Sequence, residues 1–132
     1  FTFELPPHQP EQESSIRTID IIKILGNLVD NAFEEVSTLP TGKRFVQGSI
    51  QYVDHCLVLE VVNRGRILDR EEQANIFKAG FTTKTNGTHS GLGLAVVAER
   101  TQCYGGTLEL HSDESSGTVF RISIPQKEVV AG

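Results

Sequence analysis

Asn27-Leu-Val-Asp-Asn31-Ala-Phe-Glu34-Glu35 lies within a longer run whose apolar residues return every three or four positions, and Phe81-Thr-Thr-Lys84 leads into Ser90-Gly-Leu-Gly-Leu94. The spacing Ile22, Leu25, Val29, Ala32, Val36 predicts a helix over about 15–37 with one buried stripe, capped by Ser14 or Ser15 and ended by Leu39-Pro40-Thr41-Gly42. Upstream, residues 1–5 alternate and stop at Pro6-Pro7, an edge strand followed by a linker over 6–13. Downstream, 45–53 and 57–63 form a hairpin turned by Asp54-His55, and Asp69 caps a short helix to about Ile76. Residues 79–90, rich in Gly, Thr and Asn, have no periodicity and form a mobile loop, and a mostly apolar helix over 92–104 ends at Gly105-Gly106. Strands at 107–111 and 119–124 make a second hairpin before a frayed tail over about 126–132. Hairpins separated by helices specify an α+β, two-layer sandwich, a mixed and mostly antiparallel sheet covered on one face by helices.

At 132 residues the chain is one domain, 1–132, with 38% hydrophobic and 22% charged residues, as in ordinary globular proteins. No apolar run approaches the ~20 residues of a membrane helix, and no secretory signal opens the sequence. The net charge of −5 and the lack of a Lys/Arg block exclude a nucleic-acid surface, while local donors can still hold a single nucleotide. Cys56 and Cys103 stand far apart without zinc-like spacing and read as two buried, reduced thiols. His8, His55, His89 and His111 are scattered and suggest no Ser/His/Asp triad.

On the first helix Asn27 and Asn31 are one turn apart and Glu34 follows three on, so all three share a face flanked by Asp30 and Glu35. Magnesium prefers hard oxygen ligands and bridges to phosphates, and an amide oxygen can join that shell without adding negative charge. A plain solvated helix face is the competing reading of these residues. Asn63 ends an apolar strand before a glycine turn, where its amide can accept from an adenine 6-amino group and donate to a ring nitrogen, or serve simply as a turn residue. Between Gly80 and Gly93, Lys84 supplies a charge, Thr82, Thr83, Thr88 and Ser90 supply hydroxyls, and the helix start at Gly91–Gly93 supplies unpaired N–H groups. Leu92, Leu94, Val96 and Val97 read as core.

Taken in order, these segments resemble the ATP-binding domain of sensor histidine kinases, within the GHKL superfamily shared with DNA gyrase, the heat-shock chaperone ATPase and the mismatch-repair ATPases. Asn27-Leu-Val-Asp-Asn31-Ala is similar to the N box, and Asn63-Arg-Gly65 stands where the first glycine box belongs. Ile76-Phe77 through Lys84 resembles the phenylalanine box, Gly91-Leu92-Gly93-Leu94 the second glycine box, and Gly117-Thr118 the closing Gly-Thr. The resemblance covers nearly the whole chain. It departs at the first glycine box, where Asn63 replaces the usual Asp and Ile67 a second glycine, a pattern similar to accessory-gene-regulator-type and citrate-sensor-type kinases.

The resemblance implies a Bergerat-type fold with ATP and magnesium bound: Asn31 on the metal, Asn27 and Glu34 near the phosphates, Asn63 and Gly65 at the base. It further implies Lys84 on a phosphate within a lid over about 79–90, Gly91 to Leu94 around the phosphates, and Thr118 helping to hold adenine. It also implies a cytoplasmic domain of a membrane-anchored kinase, with the phosphoacceptor histidine on a separate dimerisation domain and a response regulator acting downstream. Superfamily members that hydrolyse ATP or phosphorylate anti-sigma factors carry Glu four residues before the metal Asn; here it is Asn27, which cannot take a proton. Two other readings are a degenerate docking module of the same fold and a free-standing ATPase or protein-serine kinase.

Overall fold

Asp54 and His55 both adopt positive φ, 50° and 64°, so the turn between the two long strands is the tight two-residue kind whose twist matches a hairpin. The computed structural model describes residues 2–4, 16–77 and 93–126. The elements are β1 (Thr2–Glu4), α1 (Thr18–Val36), a 3-10 turn (Thr41–Lys43), β2 (Phe45–Val53), β3 (Cys56–Arg64), α2 (Arg70–Asn75), α3 (Gly93–Cys103), β4 (Thr107–Asp113) and β5 (Gly117–Pro125). They form a five-stranded sheet in the order β1-β2-β3-β5-β4, with β1 parallel to β2 and every other pair antiparallel. The expected mixed, mostly antiparallel sheet with helices on one face is what forms.

Alternation along the strands sends one set of side chains toward the helices. Leu57, Leu59 and Val61 of β3 and Phe120, Ile122 and Ile124 of β5 are buried on that face, and register pairs them Leu57–Ile124, Leu59–Ile122 and Val61–Phe120. The opposite face carries the cross-strand ion pair Arg121–Glu60, with Nη2 2.7 Å from Oε2. Helix α2 begins where the sequence predicts, Asp69 Oδ1 accepting from the Glu72 N–H at 2.8 Å. After α3 the chain turns back through Gly105, and the Gly106 N–H donates to Thr101 O at 2.9 Å.

The buried stripe of α1 differs from the predicted one. Ile24, Leu28, Ala32 and Val36 are buried, whereas Ile22 is 58% exposed and Leu25 and Val29 are only half-buried. Apolar residues occur around most of this helix, so steps of three and four fit two adjacent faces; contact with β3, β2 and α3 selects the i, i+4 row. Ser14 and Ser15 lie outside the described residues, and Arg17 occupies the N-cap without a side-chain bond. The cysteines also depart from expectation: Cys56 is half-buried at the start of β3, and Cys103, the last residue of α3, is exposed; both are free. Gln126, expected in the tail, donates its N–H to His55 O at 2.9 Å, and residues 127–132 lie outside the described set.

A polar clasp joins the far ends of the two long helices. Buried Asp20 accepts the Tyr104 hydroxyl, Arg100 Nε lies 3.9 Å from the same carboxylate, and the Arg17 N–H donates to Tyr104 Oη at 3.3 Å. The bond to Asp20 chiefly holds the Tyr104 phenol above its ordinary pKa, with desolvation and the carboxylate charge acting in the same direction. The neutral phenol is therefore the favoured form: its contribution is complete below the ordinary tyrosine value and disappears as pH rises through the elevated one. In a phenolate absorbance titration, Asp20→Asn should bring the Tyr104 transition to lower pH; an unmoved transition contradicts the clasp. The stripe assignment is checked by urea unfolding: Leu28→Ala should cost about 2–5 kcal/mol, and Ile22→Ala within ~0.5 kcal/mol.

Candidate functional site

Four inward-facing positions form a row across the sheet: Val46 pairs with Asn63, Asn63 with Thr118, and Thr118 with Ser112. The row runs from apolar to polar, and Asn63 within it is fully buried. Neither its Oδ1 nor its Nδ2 has a hydrogen-bond partner among the described residues. Leaving a buried polar group without partners costs about 1–3 kcal/mol, and most such groups in folded proteins are satisfied. An amide kept in that state at the end of a central strand is suited to a polar ligand.

Its neighbours in the row are already engaged. Thr118 Oγ1 lies 2.8 Å from Ser112 Oγ, which accepts the Leu68 N–H at 2.9 Å. Ser112 was not among the sequence candidates, because the predicted strand stops at His111, whereas β4 runs to Asp113. The alternation of β4, extended by one inward position, was the signal that could have found it.

The turn after Asn63 is held by side chains where the superfamily pattern has a second glycine. Arg66 Nη1 donates to both carboxylate oxygens of Glu72 at 2.6 Å, and its Nη2 lies 3.7 Å from Glu35 Oε1. The hydrogen bond to Glu72 raises the Arg66 pKa, and the charges of Glu35 and Glu72 add to it against desolvation. Glu35 is thus turned toward this bend. Gly65 packs against the end of α1, where a Cβ would lie 3.0 Å from Glu35 O.

Two turns earlier on α1, Asn27 Nδ2 donates to Lys23 O at 2.8 Å, which leaves Oδ1 directed at the start of α3. A Cβ on Gly93 would lie 3.0 Å from that oxygen. Asn27 on α1 therefore meets Gly93 at the start of α3. Asn31 and Glu34 are half-buried on the same flank of α1, and Leu94 packs against the core. Phe77, first aromatic of the predicted phenylalanine box, packs edge-on against Phe120 with ring centroids 5.8 Å apart. Lys84, Gly91, Leu92 and the predicted lid over 79–90 lie outside the described residues. Among the described residues no group of three or more His, Cys, Asp or Glu could hold a metal ion.

The sequence model of the family described as "Histidine kinase-, DNA gyrase B-, and HSP90-like ATPase" matches residues 17–128. Sensor protein CitS of Bacillus subtilis is 34% identical over 108 residues, covering 82% of this chain and 19% of its own length. Sensor histidine kinase DcuS of Escherichia coli is 30% identical over 116 residues, covering 88% of this chain and 21% of its own. The chain therefore spans about a fifth of the length of these relatives. Among solved structures, the catalytic domain of histidine kinase ThkA aligns with a TM-score of 0.74 at 27% identity, covering 95% of this chain and 78% of that one.

Gly117 brings the closing turn against the backbone of Asn63. Its φ is +76°, and a Cβ there would lie 2.4 Å from Asn63 O. Gly117→Ala should therefore destabilise the chain by about 1–3 kcal/mol, measured by thermal unfolding; unchanged stability would contradict the packing of this turn against β3.

Proposed function

The chain belongs to the histidine kinase-, DNA gyrase B-, and HSP90-like ATPase family, and from that premise we propose that it is the ATP-binding catalytic domain of a two-component sensor histidine kinase. The observation that carries this reading is the buried, unpartnered Asn63 amide on the same sheet row as Thr118, a base-reading group without a protein partner. In this reading Asn63 contacts the adenine edge, Gly65 and Thr118 border the base, and Asn27 and Glu34 sit near the phosphates. Gly91, Leu92, Gly93 and Leu94 surround the phosphates at the start of α3, where backbone N–H groups lack helix partners, and Lys84 adds a positive charge. Magnesium, when bound with the nucleotide, would neutralise phosphate charge, and Asn31 is the residue that would hold it.

The domain would present the γ-phosphoryl group to a histidine on a separate dimerising, phosphoacceptor domain, from which a response regulator is phosphorylated in turn. Such transfer depends on positioning and charge stabilisation more than on a protein base. Asn27 fits that division of labour: an amide cannot accept the proton of an attacking nucleophile, and its Nδ2 is committed to Lys23 O. This favours a kinase over a free-standing ATPase or protein-serine kinase. A docking module with a dead pocket is disfavoured by Asn63, since a lost ligand removes the reason to keep an unpartnered amide buried. No described helix is long and apolar enough to cross a membrane, which fits a cytoplasmic domain of a membrane-anchored kinase.

Titration of the chain with ATP, with and without magnesium, tests this directly. Binding should require magnesium, and saturation at a hundred times Kd should stabilise the fold by about 2.7 kcal/mol. Asn31→Asp and Gly93→Ala should each weaken binding about tenfold or more, and the isolated chain should not phosphorylate itself. Absence of magnesium-dependent binding, or unchanged affinity in both variants, would overturn the assignment.

A further inference from the structure

Resting on the nucleotide reading above, we propose that the base site accepts 6-oxopurine nucleoside triphosphates as well as ATP, because among the described residues no hydrogen bond fixes the orientation of the Asn63 carboxamide. Adenine presents a 6-amino donor beside the N1 acceptor. A 6-oxopurine presents an O6 acceptor beside an N1–H donor, the reverse pattern. A primary amide carries one acceptor and two donor hydrogens on opposite sides of its carbon, so half a turn about its last torsion converts a match for one edge into a match for the other. A carboxylate, with acceptors only, makes a single bond to either edge, accepting from the 6-amino group of one or the N1–H of the other.

Selectivity from an amide therefore requires a third group that locks its orientation. Asn63 lacks one: it is fully buried, and neither amide atom is hydrogen-bonded among the described residues. Val46, beside it on β2, is apolar. Thr118, beside it on β5, has its hydroxyl 2.8 Å from Ser112 Oγ, and Ser112 is anchored by the Leu68 N–H. On the remaining side Gly65 presents no side chain, and even a Cβ there would stand 3.5 Å from Nδ2. The Thr118 hydroxyl bonds Ser112 and makes no hydrogen bond to the amide. The sequence alone displays the change from carboxylate to amide; the burial and the absence of a hydrogen bond to either amide atom among the described residues are what leave its orientation open.

The test compares ATP with inosine triphosphate, which has the 6-oxo and N1–H groups without the 2-amino group of guanine. Calorimetric titration under identical magnesium and salt should give Kd values within tenfold of each other. Inosine triphosphate binding more than tenfold weaker than ATP overturns the inference while leaving the nucleotide-site reading intact; failure of both to bind removes that reading and the inference with it. In Asn63→Asp, which keeps one acceptor bond to either edge and loses the second, both nucleotides should bind more weakly, by about fivefold or more. A folded Asn63→Asp chain that binds both as tightly as the unsubstituted chain overturns the inference, and if that variant does not fold, the comparison in the unsubstituted chain decides alone.

Discussion

The approach of α1 to α3 at a single glycine is the constraint on which the rest of the site depends. Asn27 Oδ1 occupies the space a side chain at position 93 would need, and its Nδ2 is tied back to the helix at Lys23 O. The start of α3, with its unpaired N–H groups, is thereby set beside the polar flank of α1. The Asp20–Tyr104–Arg100 clasp fastens the start of α1 to the end of α3. Two separated contacts, one at the middle of α1 and one at its start, define the crossing of the helices better than one, so the geometry at Asn27 is a property of the whole helical layer.

The sheet supplies the second fixed point. β3 and β5 present Asn63 and Thr118 side by side on the face the helices cover, and the turn at Gly65 packs against the last turn of α1. One helix therefore touches both halves of the site: Gly93 near its middle and Gly65 near its end, eight residues apart, about 12 Å along the axis. The segment after Asn63 is held by side chains, Arg66 gripping Glu72 and Ser112 accepting the Leu68 N–H.

Much of this was legible beforehand, for identifiable reasons. The Asp54-His55 hairpin, the Asp69 cap and the strand alternation are local signals, and local chemistry decided them. The face of α1 was not legible: Ile22, Ile24, Leu25, Leu28 and Val29 offer two overlapping stripes, and only tertiary packing chooses between them. The burial of Asp20 was not legible either, since the Tyr104 hydroxyl that makes it tolerable is 84 residues away in sequence. Ser112 was missed by a strand boundary two residues short, the kind of end effect that periodicity resolves least well. Asn27, Asn31 and Asn63 stood out in the sequence as polar residues within otherwise apolar segments, whereas Thr118 was singled out only through the resemblance to the closing Gly-Thr.

The central claim is that the Asn63 amide is kept buried to meet a purine. Nitrogen-15 NMR of the side-chain NH2 groups examines that atom itself, with the Asn63 pair of signals identified by their loss in Asn63→Asp. Adding a non-hydrolysable ATP analogue with magnesium should move both Asn63 side-chain proton signals and slow their exchange with water. Signals that stay in place at saturating nucleotide, while resonances elsewhere shift, would contradict the account.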